Sequence, residues 1–279
     1  MINLKRAKLL KGRGNMIKEF NHEEVQCIKT TVSVPMFRIN VYLYFIDGLL
    51  IDTGPRRLKN SLIPVFKSLP VSQIILTHHH EDHIGMGSWI QSHINKPIYI
   101  HKAGIADCEQ PSSIPLYRRI LWGNSKPFNP EPIPQTIETK NYQFEVIHTP
   151  GHAHDHVVLF NRENGWLFSG DLFVIPHPKS SFSFESVPVL MDSIRKILTY
   201  DFSTLFCSHA GVIINGKEHL TEKLRYLENL HWKVKRLHLE GMHAKSIQKQ
   251  LFPKLHSIHL LSGFENSPAH MINSIIDDI

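Results

Sequence analysis

Residues 78–83 read His-His-His-Glu-Asp-His and place four metal-ligating side chains, His78, His80, Asp82 and His83, within six positions. Neutral imidazoles and carboxylates are good ligands for zinc, iron or manganese. The block follows the apolar run Ile74-Ile75-Leu76, so the ligands begin where a short buried strand ends. Such a turn aims the first imidazoles at one point and the Asp-His pair at a point beside it, which suits two adjacent metal ions. Two ions about 3.5–4 Å apart lower the pKa of a shared water and polarise a carbonyl or phosphoryl oxygen. Such a pair of ions could activate a water with no Ser or Cys nucleophile.

Four further patches put His or Asp at the end of an apolar run. They are Asp52-Thr53-Gly54, Thr149-Pro150-Gly151-His152, Ser169-Gly170-Asp171 and Ser208-His209-Ala210-Gly211. Small residues let the backbone crowd around a centre, and α/β proteins generally place ligands at strand-end loops. Taken in order, Leu50-Ile-Asp-Thr-Gly54, the block Thr77 to Gly85, and the patches at 149–152, 169–171 and 209 resemble the metallo-β-lactamase-fold hydrolases, in their glyoxalase II-like or lactonase-like branch. The resemblance covers about residues 40–210. It implies a four-layer αββα sandwich and a ligand set: His78, His80 and His152 on one metal, Asp82, His83 and His209 on a second, and Asp171 bridging both. It implies that Asp52 orients a ligand rather than binding metal. His79 is expected to point away from the metals in a structural role, and neither His79 nor Glu81 is expected to be a ligand; both are read as spacers within the motif. His154 and His156 are either supports of the site or ordinary surface and core residues.

The elements that must position these residues follow from apolar period and turn chemistry. Asn40 to Ile46 and Gly48 to Ile51 predict a hairpin around Asp47-Gly48. Arg56 to Leu69 has helical spacing. Short strands are expected at 72–76, 97–100, 142–147, 157–160, 166–168 and 204–207, and a helix at 190–198. Leu220, Leu224, Leu227, Leu230, Val234 and Leu237 mark a long amphipathic helix ended by Gly241, with short helices at 244–251 and 268–276. Two strand-then-helix halves imply an α/β fold with sheets inside and helices outside. Residues 111–134 hold six prolines and are read as a lid, a binding loop or a plain surface connection. The expected organisation is a basic, disordered leader at 1–15, a catalytic domain at 16–215, and a C-terminal helical region at 216–279 that packs on the domain or is appended to it.

Composition narrows the function. Of the formal net charge of +6, five positive charges lie in the first 15 residues, which leaves +1 for the remainder. The basic balance therefore does not argue for nucleic-acid binding. Three scattered cysteines make neither a disulfide framework nor a Cys-x-x-Cys site, and a reducing cytoplasm is the expected setting. No apolar run is long enough to span a membrane. The expected cofactors are two divalent metal ions, zinc first, with iron or manganese as other occupants. A small molecule is the expected substrate, and a symmetric dimer is the usual oligomer.

The leading reading is an ester, thioester or lactone hydrolase in which Asp82 also orients the hydroxide or moves a proton. A phosphodiesterase or nuclease of the same fold is the alternative. A third reading, a nucleic-acid-binding helix-turn-helix in the C-terminal helices, is weaker because that tail is not strongly basic. Among similar proteins, Asp171 argues against zinc β-lactamases, and Val174 stands where lactonases carry Tyr. Tyr117, Arg119, Trp122, His177 and Lys179 are the candidate substrate contacts, with Arg118, Phe182 and Phe184 as further pocket candidates.

Overall fold

A computed structural model describes residues 8–11, 16–34, 37–111, 113–254 and 256–279. The first half builds an eight-stranded sheet in sequential order from β1 (Lys8–Lys11), β2 (Met16–His22), β3 (Val25–Val34), β4 (Phe37–Ile46), β5 (Leu49–Ile51), β6 (Gln73–Ile75), β7 (Ile98–Ile100) and β8 (Glu131–Pro132). Strands β1 to β5 are antiparallel neighbours, and β5 to β8 run parallel. The predicted hairpin at Asp47-Gly48 is present. Both residues have positive φ, +47° and +86°, the geometry that fits the right-handed twist of the flanking strands.

Residues 8–11 of the leader pair with β2 as an edge strand, which departs from the expectation of disorder there. The rest of the leader lies outside the described residues. Strands β2 and β3 have no counterpart among the expected elements. Their apolar positions break the period-two alternation, since Cys27 and Ile28 are adjacent and both fully buried.

The second half supplies β9 (Thr136–Glu138), β10 (Gln143–His148), β11 (Val157–Asn161), β12 (Trp166–Gly170), the two-residue β13 (Ser181–Phe182), β14 (Thr204–Cys207) and β15 (Gly211–Ile214). All but β13 form a six-stranded sheet of order β15-β14-β12-β11-β10-β9. The two sheets meet through an aromatic layer of Tyr42, Tyr44, Phe144, Trp166, Phe168 and Phe206. The Tyr44 hydroxyl donates to the Cys207 carbonyl at 2.6 Å, so its buried polar end is satisfied and also ties one sheet to the other.

Helices cover both outer faces. In the first half α1 (Lys59–Ser68), α2 (Glu81–Ile84), α3 (Gly87–His93), α4 (Ile105–Glu109) and α5 (Leu116–Trp122) precede β8. Leu62, Phe66, Ile90, Leu121 and Trp122 fill the layer beneath them. In the second half α6 (Val187–Leu198), α7 (Gly216–Leu239), α8 (Ala244–Leu251), α9 (Ser257–Leu261) and α10 (Pro268–Ile276) follow, with β16 (Asn266–Ser267) paired to β13. Leu220, Leu227, Leu230, Val234 and Leu237 of α7 pack with Ile194, Ile247 and Ile272. The leucine stripe is thus a packing face, and the C-terminal helices lie against the second sheet. The result is a four-layer αββα sandwich, as expected. Strands β5, β6, β10, β12 and β14 each end beside one of the His- or Asp-bearing loops.

Candidate metal centre

The loop after β6 builds the first triad. Thr77 Oγ1 donates to Asp52 (2.9 Å to Oδ2), so His78 Nδ1 donates to Thr77 Oγ1 at 3.1 Å and leaves its Nε2 lone pair exposed to the site. His78 Nε2 lies 3.0 Å from His80 Nδ1, and His152 Nε2 lies 3.1 Å from the same His80 atom. Burial, and then the neighbouring imidazoles, hold the His78 and His80 pKa values well below the usual histidine range. Three imidazole nitrogens converge here, and those of His78 and His80 hold protons weakly. Bonds of about 2.0–2.1 Å to one tetrahedral ion would put ligand nitrogens roughly 3.4 Å apart, and the observed spacing fits.

The second triad starts in the first turn of α2. His83 Nδ1 donates to Asp52 Oδ2 at 2.7 Å. Its Nε2 is buried without a hydrogen-bond partner among the described residues and lies 3.7 Å from both Asp82 Oδ2 and Asp171 Oδ2. His209 Nδ1 donates to the Asn40 carbonyl at 2.8 Å, and its Nε2 lies 3.3 Å from Asp82 Oδ2 and 3.1 Å from Asp171 Oδ2. Burial pushes both imidazoles toward neutrality, yet the adjacent carboxylates outweigh it and raise both pKa values well above the usual range. Two buried carboxylates thus draw positive charge to this spot.

Asp171 joins the halves. Its Oδ2 stands 3.4 Å from His152 Nε2 as well as beside His83 and His209, while its Oδ1 is buried without a partner among the described residues. Its backbone N–H donates to His156 Nε2 at 3.0 Å, and His156 Nδ1 donates to Thr149 Oγ1 at 2.8 Å. Burial, reinforced by His152, lowers the His156 pKa to about 3, so a neutral ring holds the Asp171 backbone. Gly170 must be glycine here. It has φ +49°, and a Cβ would fall 2.6 Å from His156 Nε2. The orphaned His83 Nε2 and Asp171 Oδ1, with the converging nitrogens of His78, His80 and His152, make a donor set that fits divalent cations.

The family model described as Metallo-beta-lactamase superfamily matches residues 37–209, the span that holds every one of these side chains. The chain belongs to the metallo-beta-lactamase superfamily. Its membership agrees with the hydrolase class expected from the motifs. Over 296 residues it is 24% identical to a Bacillus subtilis protein named probable metallo-hydrolase YqjP, covering 89% of this chain and 91% of that one. It is 26% identical over 184 residues to an atrochrysone carboxyl ACP thioesterase of Emericella nidulans, covering 60% of this chain and 52% of the relative. It spans about half the length of several other curated relatives. A metallo-beta-lactamase family protein of Thermus thermophilus shares the fold with a TM-score of 0.69 at 18% identity, covering 92% of this chain and 95% of that one.

Beyond the superfamily's motif residues, several supports had no sequence signal. Asp52 accepts from Thr77 N at 2.8 Å and from His83 Nδ1 at 2.7 Å, a geometry suited to orienting the His83 ring. Glu185 Oε1 lies 3.2 Å from His152 Nδ1, yet it sits in a Ser/Phe-rich loop with no motif around it. His79 and Glu81 are not spacers. His79 Nδ1 donates to the fully buried Asp155 at 2.8 Å. Glu81 receives the Arg118 guanidinium at 2.7 Å in a buried pair. Each anchors the ligand loop from behind. His154 is exposed beside Asp107, whereas His156 supports the site.

The candidate substrate contacts divide. Trp122 is buried in the layer under the first-half helices, because the apolar face of α5 is drawn into that core. Tyr117 packs against the same core. Arg119 donates to the Ile114 carbonyl and lies in a shallow surface groove with Arg56 and Arg57. His177 pairs with Glu222 on the exterior, both about half exposed. Lys179, by contrast, lines a cavity of about 490 Å³ that reaches His152, Asp171 and His209. Phe182 lines it too, while Arg118 and Phe184 border a separate hollow near His80. The 111–134 segment is a wall anchored by Leu121, Trp122 and Phe128, which argues against a free lid. Val174, on the same cavity as Lys179, has φ +52°. That conformation is costly for a β-branched residue, and such strain clusters at functional sites. The three cysteines are free and buried, and among the described residues no helix is long and apolar enough to cross a membrane.

Proposed function

We propose that the protein is a dinuclear metal-dependent hydrolase, zinc-loaded, acting on a small-molecule ester, thioester or lactone. His78, His80 and His152 would hold one ion, Asp82, His83 and His209 the other, with Asp171 shared. The observation that carries this reading is the position of Asp171 Oδ2, within 3.1–3.7 Å of imidazole nitrogens from both triads. Bound there, a pair of divalent ions would supply a hydroxide near neutral pH and would polarise the substrate carbonyl. The protein's own groups prepare the site. Asp52 and Asn40 fix the His83 and His209 rings, His156 fixes the Asp171 backbone, and Glu185 orients His152. Asp82, in the first turn of α2 and facing the same space, is the carboxylate assigned to accept the proton of the attacking water. The relative named as an ACP thioesterase supports the thioester option.

The test is metal analysis of wild type, His80→Ala and Asp171→Ala beside an activity panel. The panel holds p-nitrophenyl acetate, S-lactoylglutathione, lactones and bis-p-nitrophenyl phosphate. Wild type should carry two ions per chain and turn over a carbonyl substrate, and both variants should lose metal and turnover. Full activity in the metal-analysed variants, or turnover confined to the phosphodiester, contradicts the proposal.

A further inference from the structure

The 490 Å³ cavity beside the metal centre has a chemistry of its own. Its volume lies within the range of roughly 300–1,000 Å³ typical of small-molecule sites. His152, Asp171 and His209 are among its lining residues, so a ligand that fills it lies against the candidate metal centre. The cavity's apolar wall is formed by Phe173, Phe182, Leu190, Leu227, Ile258 and Met271, with serines, Asn266, His256 and His259 also on the lining; the loop after Asp171, β13 and helices α6, α7, α9 and α10 bring the apolar residues together. The C-terminal helices therefore complete the site as well as covering the sheet.

The charged groups along this cavity have other tasks. Lys223 is fully buried, and its ammonium donates to the Leu172 and Phe173 carbonyls at 2.7 Å each. Those two residues directly follow Asp171, so Lys223 holds that loop rather than presenting a cation to a ligand. Lys179 Nζ rests 5.2 Å above the Tyr226 ring. Of the two carboxylates on the lining, Asp171 belongs to the candidate metal centre and Glu185 is held at His152. A phosphodiester chain would need charge-matched hydrogen bonds along its length, and among the described residues lining this cavity no paired cations converge to give them. An apolar chain needs only the walls.

We infer that this cavity takes the apolar, medium-length acyl group of the substrate, with the scissile carbonyl beside Asp171 and the alcohol or thiol portion directed outward. The inference rests on the hydrolase reading above and narrows it to medium-chain acyl esters or thioesters.

The experiment uses the metal-loaded protein with p-nitrophenyl acetate, butyrate, octanoate and decanoate. Equilibrium binding of free octanoate and butyrate is measured alongside. Burying added methylenes should raise kcat/KM by about tenfold or more from acetate to octanoate, and octanoate should bind more tightly than butyrate. Ile258→Trp, which fills the cavity from its rim, should lower the octanoate-to-acetate ratio by about tenfold. Phe182→Ala, which enlarges it, should shift the preference toward decanoate; this second variant decides the matter if the first does not fold. Equal turnover of acetate and octanoate, or loss of both substrates in parallel in Ile258→Trp, overturns the acyl cavity while the hydrolase reading stands. Metal-loaded wild type that turns over no carbonyl ester and binds no octanoate overturns both.

Discussion

Replacing Arg118 by Met should destabilise the fold sharply, because it breaks a buried ion pair behind the ligand loop. Arg118 and Glu81 are each 7% exposed, and the guanidinium makes two bonds to the Glu81 carboxylate, at 2.7 and 3.2 Å. It also reaches Glu265 at 3.4 Å and lies 5.4–5.7 Å from the Phe182 and Phe184 rings. Removing one partner of a buried pair costs about 3–5 kcal/mol, since the other charge is left unmatched. For a chain of this size that is a fall in Tm of roughly 5–9 °C. Burial already raises the Glu81 pKa, with Arg118 opposing it. Without Arg118 the carboxyl rises further, so the folded state takes up a proton more readily than the unfolded chain. The loss should therefore be largest at neutral pH and shrink as pH falls through the raised pKa. Unfolding of wild type, Arg118→Met, Glu81→Gln and the double variant, followed at pH 5 and pH 7.5, measures this. The double variant should be more stable than the sum of the two single losses, with a coupling of about 1–3 kcal/mol. A single Arg118→Met loss below about 1 kcal/mol, or strict additivity, would refute the reasoning.

Asp52→Asn keeps the shape but removes the charge that pairs with His83 Nδ1; metal affinity should fall by about 10–100-fold with the fold retained, as read by competition with a chelator, and unchanged affinity would count against the orienting role. Lys223 offers a pH test. Burial lowers its pKa from 10.5 to about 8, so the folded state holds its proton less tightly than the unfolded chain. The penalty for the buried charge is present below pH 8 and is relieved as pH rises from 8 to 10.5. Wild type should therefore gain stability relative to Lys223→Met across that window in paired thermal melts, and a flat difference would contradict the assignment.

The clustering of the candidate metal ligands was legible because the chemistry demands particular side chains at strand ends. A six-residue block carrying four of the candidates, and three short patches carrying the others, leave few ways to fold without bringing them together. The supports were not legible because their partners are set by tertiary packing. His79 meets Asp155, 76 residues away, and Glu81 meets Arg118, 37 residues away. Nothing local to either residue says that its polar group turns inward. The same packing moved Trp122 and Tyr117 away from the cavity, since an apolar residue in a proline-rich stretch reads equally as core or as binding wall. The cavity itself is assembled from separate pieces of chain, and no local pattern announces it. The long leucine stripe of α7 is legible as packing because a continuous helical period is a local signal.

Diffraction from crystals of the metal-loaded protein, recorded at the absorption edge of the bound metal, tests the central claim most directly. Two anomalous peaks about 3.5–4 Å apart should flank the Asp171 carboxylate, one among His78, His80 and His152 and the other among Asp82, His83 and His209. A single peak, or peaks that do not touch Asp171, would contradict the account.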